Sequence, residues 1–274
     1  MGPVLILGNA QKKGVAKAVE DCLPRLTREF GVAAVDLDGT LDLAKVQAGW
    51  ALVFGGDGAI LNASRRMGAR AIPTAGVNFG RLGFLTEIEF EQLPEALDRI
   101  ASGAYQVRHR MRLVAKLGAW ELHALNDIVI SAALVGRMFF VSLVMRSGEE
   151  IRYAGDGVVI ASPTGSTAYS LAAGGPIVDP DLAAMVLTPL CAHTLSQRPL
   201  VMPAQQALEA FLREGDPPGI IAVDGQELRE LAPGQRLTVG AAKTPFPLIR
   251  VGFRSYFERL RDLLGWGGHP RYSA

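Results

Sequence analysis

Trp50-Ala51-Leu52-Val53-Phe54-Gly55-Gly56-Asp57-Gly58 is the stretch on which the fold turns. Five consecutive apolar residues predict a strand covered on both faces, as strands are in a parallel sheet. The glycines end that strand, and Ala59–Met67 then carries helical spacing, so the passage reads strand, tight turn, helix. In open α/β sheets ligands gather at the carboxyl ends of the strands. Glycine amides there approach phosphate oxygens closely, and the start of the next helix favours negative charge. An aspartate in such a place repels an anion unless it has a task. It could hold Mg²⁺ beside the phosphates or accept a proton from an attacking hydroxyl in phosphoryl transfer. Asp-Gly is also a common turn pair, so the tetrapeptide alone leaves a plain turn open.

Outward from this passage the same alternation continues. Pro3–Leu7 predicts a strand, Gly14–Phe30 an amphipathic helix, Ala33–Leu37 and Ala71–Val77 two more strands, and Phe90–Ala101 a helix. Residues 1–103 therefore read as an α/β domain with a mostly parallel sheet, Rossmann-like in layout. The dinucleotide fingerprint G-x-G-x-x-G follows none of its strands, and no G-x-x-x-x-G-K-[ST] occurs anywhere. A P-loop protein is excluded and a hydride-transferring dehydrogenase disfavoured.

After Gly103 the texture changes to short runs rich in Val, Ile and aromatics: Tyr105–Leu117, Asp127–Ser131, Phe139–Met145, Gly157–Ala161, Ile220–Val223 and Arg236–Val239. Helical spacing survives only in pieces such as Asp181–Leu187 and Gln205–Phe211. Residues 104–254 are expected to form a β-rich, sandwich-like domain. Ser255–Trp266 restores a helical stripe through Tyr256, Leu260, Leu263 and Leu264, and this last helix is expected to pack back on the first domain.

Composition sets the outer bounds. The chain has 274 residues, 49% of them hydrophobic, and 28 Lys+Arg against 27 Asp+Glu leave a net charge of +1. It is a globular composition, and it carries no electrostatic footprint for nucleic acid or an anionic membrane. Cys22 and Cys191 have no metal-type spacing and cannot build a disulfide framework. No apolar run approaches the ~20 residues of a membrane span, and the run at Pro3–Leu7 is too short for a signal peptide. A cytoplasmic protein is expected.

Two further stretches carry chemistry. Gly155-Asp156-Gly157 leads into an apolar strand, followed by Ser162-Pro163-Thr164-Gly165-Ser166-Thr167-Ala168-Tyr169-Ser170 and by Gly174-Gly175-Pro176. Hydroxyls, small residues and one aromatic in such a turn suit a polar ligand such as a nucleoside, with Tyr169 free to stack a ring; a plain glycine- and serine-rich surface loop is the alternative, weakened by the apolar strand before it. Asn126-Asp127 at the start of a strand can hold a vicinal diol, because a carboxylate accepts and an amide both donates and accepts; as a bare pair it is also an ordinary turn. Arg108, Arg110 and Arg112 alternate along a strand candidate and read as one solvated edge, with a phosphate clamp as the rarer alternative. His109, His123, His193 and His269 have no zinc spacing and read as structural or solvated.

In this order these stretches resemble the NAD kinase family, which phosphorylates NAD to NADP. The matching residues run through Gly55–Gly58, Gly76–Leu85, Asn126-Asp127, Gly155–Pro176, His193–Leu200 and Val223–Gln226, spread over most of the chain. The tetrapeptide alone is shared with lipid kinases and phosphofructokinases, whereas the long Gly155–Pro176 segment separates them. The resemblance implies Asp57 as the catalytic aspartate and Gly55, Gly56 and Gly58 as the phosphate-approach backbone. It implies contacts to NAD from Asp57, Gly58, Phe84, Asn126, Asp127, Arg137, Asp156, Thr164, Thr167, Ala168, Tyr169, Ser170, Leu171, Ala172 and Gln226. It implies ATP or polyphosphate as donor, Mg²⁺ or another divalent metal with no assigned ligands, and a homodimer or homotetramer. The sequence departs from the family's pattern at Ala59, where a threonine is usual, and at Ala154, where a basic residue is common. A lipid or sugar kinase sharing the turn, and a dinucleotide-binding regulator without activity, remain the rival readings.

Overall fold

A computed structural model describes residues 1–80, 82–134 and 138–268. The chain divides into two compact units, the first made of residues 1–67, 72–108 and 247–274, the second of 68–71 and 109–246. Through the first unit run β1 (Val4–Leu7), α1 (Val15–Glu29), β2 (Val32–Asp36), β3 (Trp50–Phe54), α2 (Asp57–Met67), β4 (Thr74–Asn78), β5 (Ile88–Glu89), α3 (Leu93–Ala101) and β6 (Gln106–Arg110), whose last two residues belong to the second unit. The second unit follows with β7 (Leu113–Leu117), β8 (Trp120–Ala124), β9 (Asp127–Ala132), β10 (Phe139–Met145), β11 (Glu150–Gly155), β12 (Gly157–Ala161), α4 (Tyr169–Ala172), β13 (Ala184–Leu190), β14 (Leu200–Pro203), β15 (Leu208–Phe211), β16 (Gly219–Val223), β17 (Glu227–Leu231) and β18 (Arg236–Ala241). The chain then returns to the first unit as β19 (Phe246–Arg250) and α5 (Tyr256–Leu264).

The first unit's sheet has the order β2-β1-β3-β4-β19-β6, with β5 beside β4. The ladders joining β1 to β2 and β3, and β4 to β3, β5 and β19, are parallel. Every residue of β3 is buried, as its apolar run requires. Val4, Ile6, Trp50, Leu52, Phe54, Ala75 and Val77 form one core with the apolar stripes of α1 and α3. Gly76 points to the opposite face, where it meets the Ile60 side chain of α2. Helices therefore cover both faces, and the expected α/β layer is present.

The second unit holds two six-stranded antiparallel sheets, β11-β10-β15-β18-β7-β8 and β14-β13-β12-β9-β16-β17. Their inner faces share one core, to which β9 gives Ile128 and Ile130, β12 gives Val158 and Ile160, and β10 gives Phe139, Val141 and Leu143. The alternate residues Val129, Val159, Ala161 and Val186 lie in a second cluster that includes Val178, so the 162–183 segment roofs the outer face of that sheet. The β-rich sandwich is as expected. No helix among the described residues is long and apolar enough to cross a membrane.

Several local expectations fail, each for a physical reason. Asp181–Leu187 and Gln205–Phe211 supply strands β13 and β15, not helices. All seven residues of β13 are buried, and the pairings with β12 and β14 override the helix preference of its Leu, Ala and Met residues. Tyr105–Leu117 is not one strand, because β6 ends at Arg110 and β7 begins at Leu113. Arg110 and Arg112 are 5% and 0% exposed, so they form no solvated edge. Arg110 pairs with Asp181 at 2.5 Å, and the Arg112 guanidinium donates to the carbonyls of Thr244 and Gly68. Burial pulls the Arg112 pKa down to about 10.

Candidate active site

In the first unit, α2 begins at Asp57, two residues before its expected start, so the aspartate stands inside the first helical turn. Gly55 and Gly56 alone make the turn from β3. Gly55 has φ +153°, and a Cβ there would press on the Ala59 methyl at 2.7 Å. Its amide donates to the Val77 carbonyl at 2.8 Å and is consumed by the sheet. Among the described residues no acceptor meets the amides of Gly56 and Asp57, which open the helix. Two free N–H groups at a helix start form a ready cradle for phosphate oxygens.

The Asp57 carboxylate is held by a segment about thirty residues downstream. Its Oδ2 accepts from the Phe84 amide at 2.8 Å. Its Oδ1 accepts from the amides of Leu85 and Thr86, both at 3.0 Å, and from the Thr86 hydroxyl at 3.2 Å. Oδ1 is thereby saturated, and Oδ2, with one donor, keeps room for another. A Cβ at Gly83 would overlap this carboxylate, so only glycine fits there. Phe84, expected as a ligand contact, uses its backbone here, while its ring lies 6.4 Å from that of Tyr256.

In the second unit a different carboxylate organises the Asn126-Asp127 pair. Asp224, at the end of β16 with φ +50°, accepts from the amides of Leu125 at 2.9 Å, Asn126 at 2.8 Å and Asp127 at 3.1 Å. Its own amide returns a bond to the Asp127 carbonyl. Sequence reading passed Asp224 over as a site residue; the signal was an Asp-Gly pair ending an apolar strand. The Asp127 side chain is 5% exposed. Burial, and next the charge of Asp224, push its pKa up to about 7.

The turn after β12 closes on the same place. The Ser162 hydroxyl donates to the Leu125 carbonyl at 2.6 Å and its amide to the Asn126 carbonyl at 2.8 Å. Gly165 lies so close to the Asn126 carbonyl that a Cβ would collide with it. The Thr164 hydroxyl is buried and meets no partner among the described residues, an orphan of the kind a ligand satisfies. Thr167 donates to the Thr164 carbonyl, and Ser170 is fully buried against Thr188 at 2.8 Å, its hydroxyl already used. Tyr169 is 49% exposed and its ring is open to a stacking partner. Thr167, Ala168 and Leu171 are half-buried and Ala172 is exposed. Asp156 is exposed and receives the Cys191 thiol, and Gln226 is exposed beyond β16. Arg137 lies outside the described residues.

Two family models cover the chain: the ATP-NAD kinase N-terminal domain matches residues 6–105 and the ATP-NAD kinase C-terminal domain residues 125–251. An NAD kinase of Geobacter sulfurreducens is 40% identical over 94% of this chain and 90% of that protein. An NAD kinase of Moorella thermoacetica is 38% identical over 88% of this chain and 79% of that protein. Among solved structures, an NAD kinase from Archaeoglobus fulgidus in complex with ATP aligns with a TM-score of 0.77 and 25% identity, covering 96% of this chain and 97% of that one. A yeast NADH kinase complexed with NADH shares the fold, with a TM-score of 0.84 at 22% identity over 100% of this chain and 90% of that one.

Proposed function

The chain belongs to the NAD kinase family, and from that premise we propose that its residues move the terminal phosphoryl group of ATP to the 2′-hydroxyl of the adenosine ribose of NAD, giving NADP. The observation that carries the assignment is the Asp57 carboxylate, pinned by four donors with one oxygen left open, beside the free amides of Gly56 and Asp57. In the proposed step the hydroxyl proton passes to Asp57 Oδ2 as the oxygen bonds to the γ-phosphorus. The bond from that phosphorus to the β,γ-bridging oxygen breaks, and ADP leaves. Positioning and electrostatics dominate this chemistry, and a pre-held carboxylate with helix-start amides supplies both. The Gly55 amide takes no part, since the sheet has claimed it; Gly55 serves by its conformation.

NAD is held by Asn126 and Asp127 on ribose hydroxyls, by the Thr164 hydroxyl, and by Tyr169 through ring stacking. Phe84, Asp156, Thr167, Ala168, Leu171, Ala172, Gln226 and Arg137 complete the contacts, whereas Ser170 shapes the turn from within. No group of three His, Cys, Asp or Glu side chains among the described residues can hold a metal ion. A divalent metal would be carried mainly by the phosphates of the donor, as Mg²⁺ commonly is, and would supply charge neutralisation at the transferred group.

A homo-oligomer is also proposed, on the exposed apolar side chains of Leu200 and Val201 in the edge strand β14 and of Leu195, at 86% exposure, in the loop before it. The free thiols of Cys22 and Cys191 suit the cytoplasm. The test is NADP formation from ATP, Mg²⁺ and NAD, read by a coupled dehydrogenase. Asp57→Asn is expected to lower kcat by roughly 10²–10⁴ while keeping NAD binding. Normal turnover in that variant removes Asp57 from the role, and phosphorylation of a lipid or sugar in preference to NAD removes the substrate assignment.

A further inference from the structure

Asp57 is only as well placed as the 84–86 segment that grips it, and that segment has its own clamp. The Arg250 guanidinium, on β19, donates through Nη2 to the Phe84 carbonyl at 2.7 Å. Its Nη1 lies 3.8 Å from Glu87 Oε2. Glu87 in turn accepts from the amides of Phe253 at 2.8 Å, Val251 at 3.2 Å and Arg254 at 3.3 Å. Glu87 and Arg250 are 3% and 9% exposed, so neither charge is solvated in the ordinary way. A buried ion pair of this kind is a poor source of net stability, since desolvation offsets most of the attraction. It does fix geometry, because each charge is bound to backbone groups in one arrangement.

The chain of bonds is continuous: Arg250 to the Phe84 carbonyl, the Phe84 amide to Asp57 Oδ2, and Glu87 locking the chain on both sides. The Phe84 peptides carry the connection, for the carbonyl faces Arg250 while the amide faces the open oxygen of Asp57. Tilting that segment would move a donor on the very oxygen assigned to the substrate hydroxyl. A misplacement of about 1 Å can cost 10²-fold in rate.

We propose that Glu87 and Arg250 are positioning residues for phosphoryl transfer, setting the angle at which Asp57 Oδ2 meets the substrate hydroxyl. The inference rests on the role given to Asp57 above. Arg250→Ala is expected to lower kcat roughly tenfold or more, with the KM for NAD within about twofold of the parent, because orientation is lost and binding is not. Arg250→Lys, which still donates to the Phe84 carbonyl and keeps its charge beside Glu87, is expected to recover most of that loss. Glu87→Gln, of the same shape, has one oxygen for three amides. It is expected to show the same split with a smaller drop, and it decides the matter if Arg250→Ala does not fold.

Parent-like kcat in Arg250→Ala, or in Glu87→Gln where that is the deciding variant, overturns the proposal. So does a loss that appears in KM alone, or a lysine variant as slow as the alanine one. Asp57→Asn measured alongside separates the two layers. If it is inactive while Arg250→Ala is normal, only the positioning role falls; if it is active, the base assignment falls first.

Discussion

At the residue scale the sharpest contrast is between two aspartates. Asp224 has its carboxylate filled by three backbone amides, while Asp127 beside it is buried under that charge with a pKa of about 7. A carboxyl whose folded pKa is raised gives its full stability contribution below the unfolded value near 3.8, and loses it as pH climbs through about 7. At about 1.4 kcal/mol per pH unit, this group removes up to about 4 kcal/mol across that window. Asp127→Asn should therefore flatten the fall in stability between pH 4 and pH 7, measured by urea midpoints, and be the more stable protein at pH 8. Thr164→Val tests the orphan hydroxyl in a different way. Removing a buried hydroxyl that has no partner should leave the melting temperature unchanged or raise it. A ligand contact would be lost, so the KM for NAD should rise several-fold in steady-state assays.

At the element scale the strand–turn–helix at Trp50–Met67 was legible because a fully apolar run, two glycines and a helical stripe each have one reading. The same rules failed at β13, where Ala, Met, Val and Leu fit helix and buried strand alike, and only the neighbouring strands choose. They failed again at Arg110 and Arg112. The partners of those residues, Asp181 and the Thr244 carbonyl, lie 71 and 132 positions away, and one of them is a backbone atom with no side-chain signal. Asp224 was missed for the same reason, since it acts on amides 97 to 99 residues earlier. The apposition of the β12 turn to the start of β9 shows how little slack the second unit leaves. Gly165→Ala would drive a methyl into the Asn126 carbonyl, at a cost of about 1–3 kcal/mol in denaturant unfolding. It should also raise the KM for NAD, because Asn126 must move.

At the scale of the whole molecule, α/β and β-rich halves were foreseeable from the change of texture near Gly103. The return of residues 247–268 to the first unit was readable only as a final amphipathic helix, since β19 is five residues with no pattern of its own. Yet β19 is an interior strand, flanked by β4 and β6, and all five of its residues are buried. A chain ended at residue 245 should form no NADP. Under limited proteolysis it should be cut first within residues 1–108, while fragments of 109–240 persist.

That return dictates the order of assembly as the polypeptide leaves the ribosome. The second unit is almost one unbroken length of chain and can close on itself early. The first, begun with β1, lacks its seventh strand until β19 is made, after the whole of the second unit. Arg250 belongs to that strand, so the grip on the Asp57 carboxylate is completed only after the second unit has been made. A nascent chain interrupted before β19 would carry the whole of residues 109–241 and an unfinished grip on Asp57.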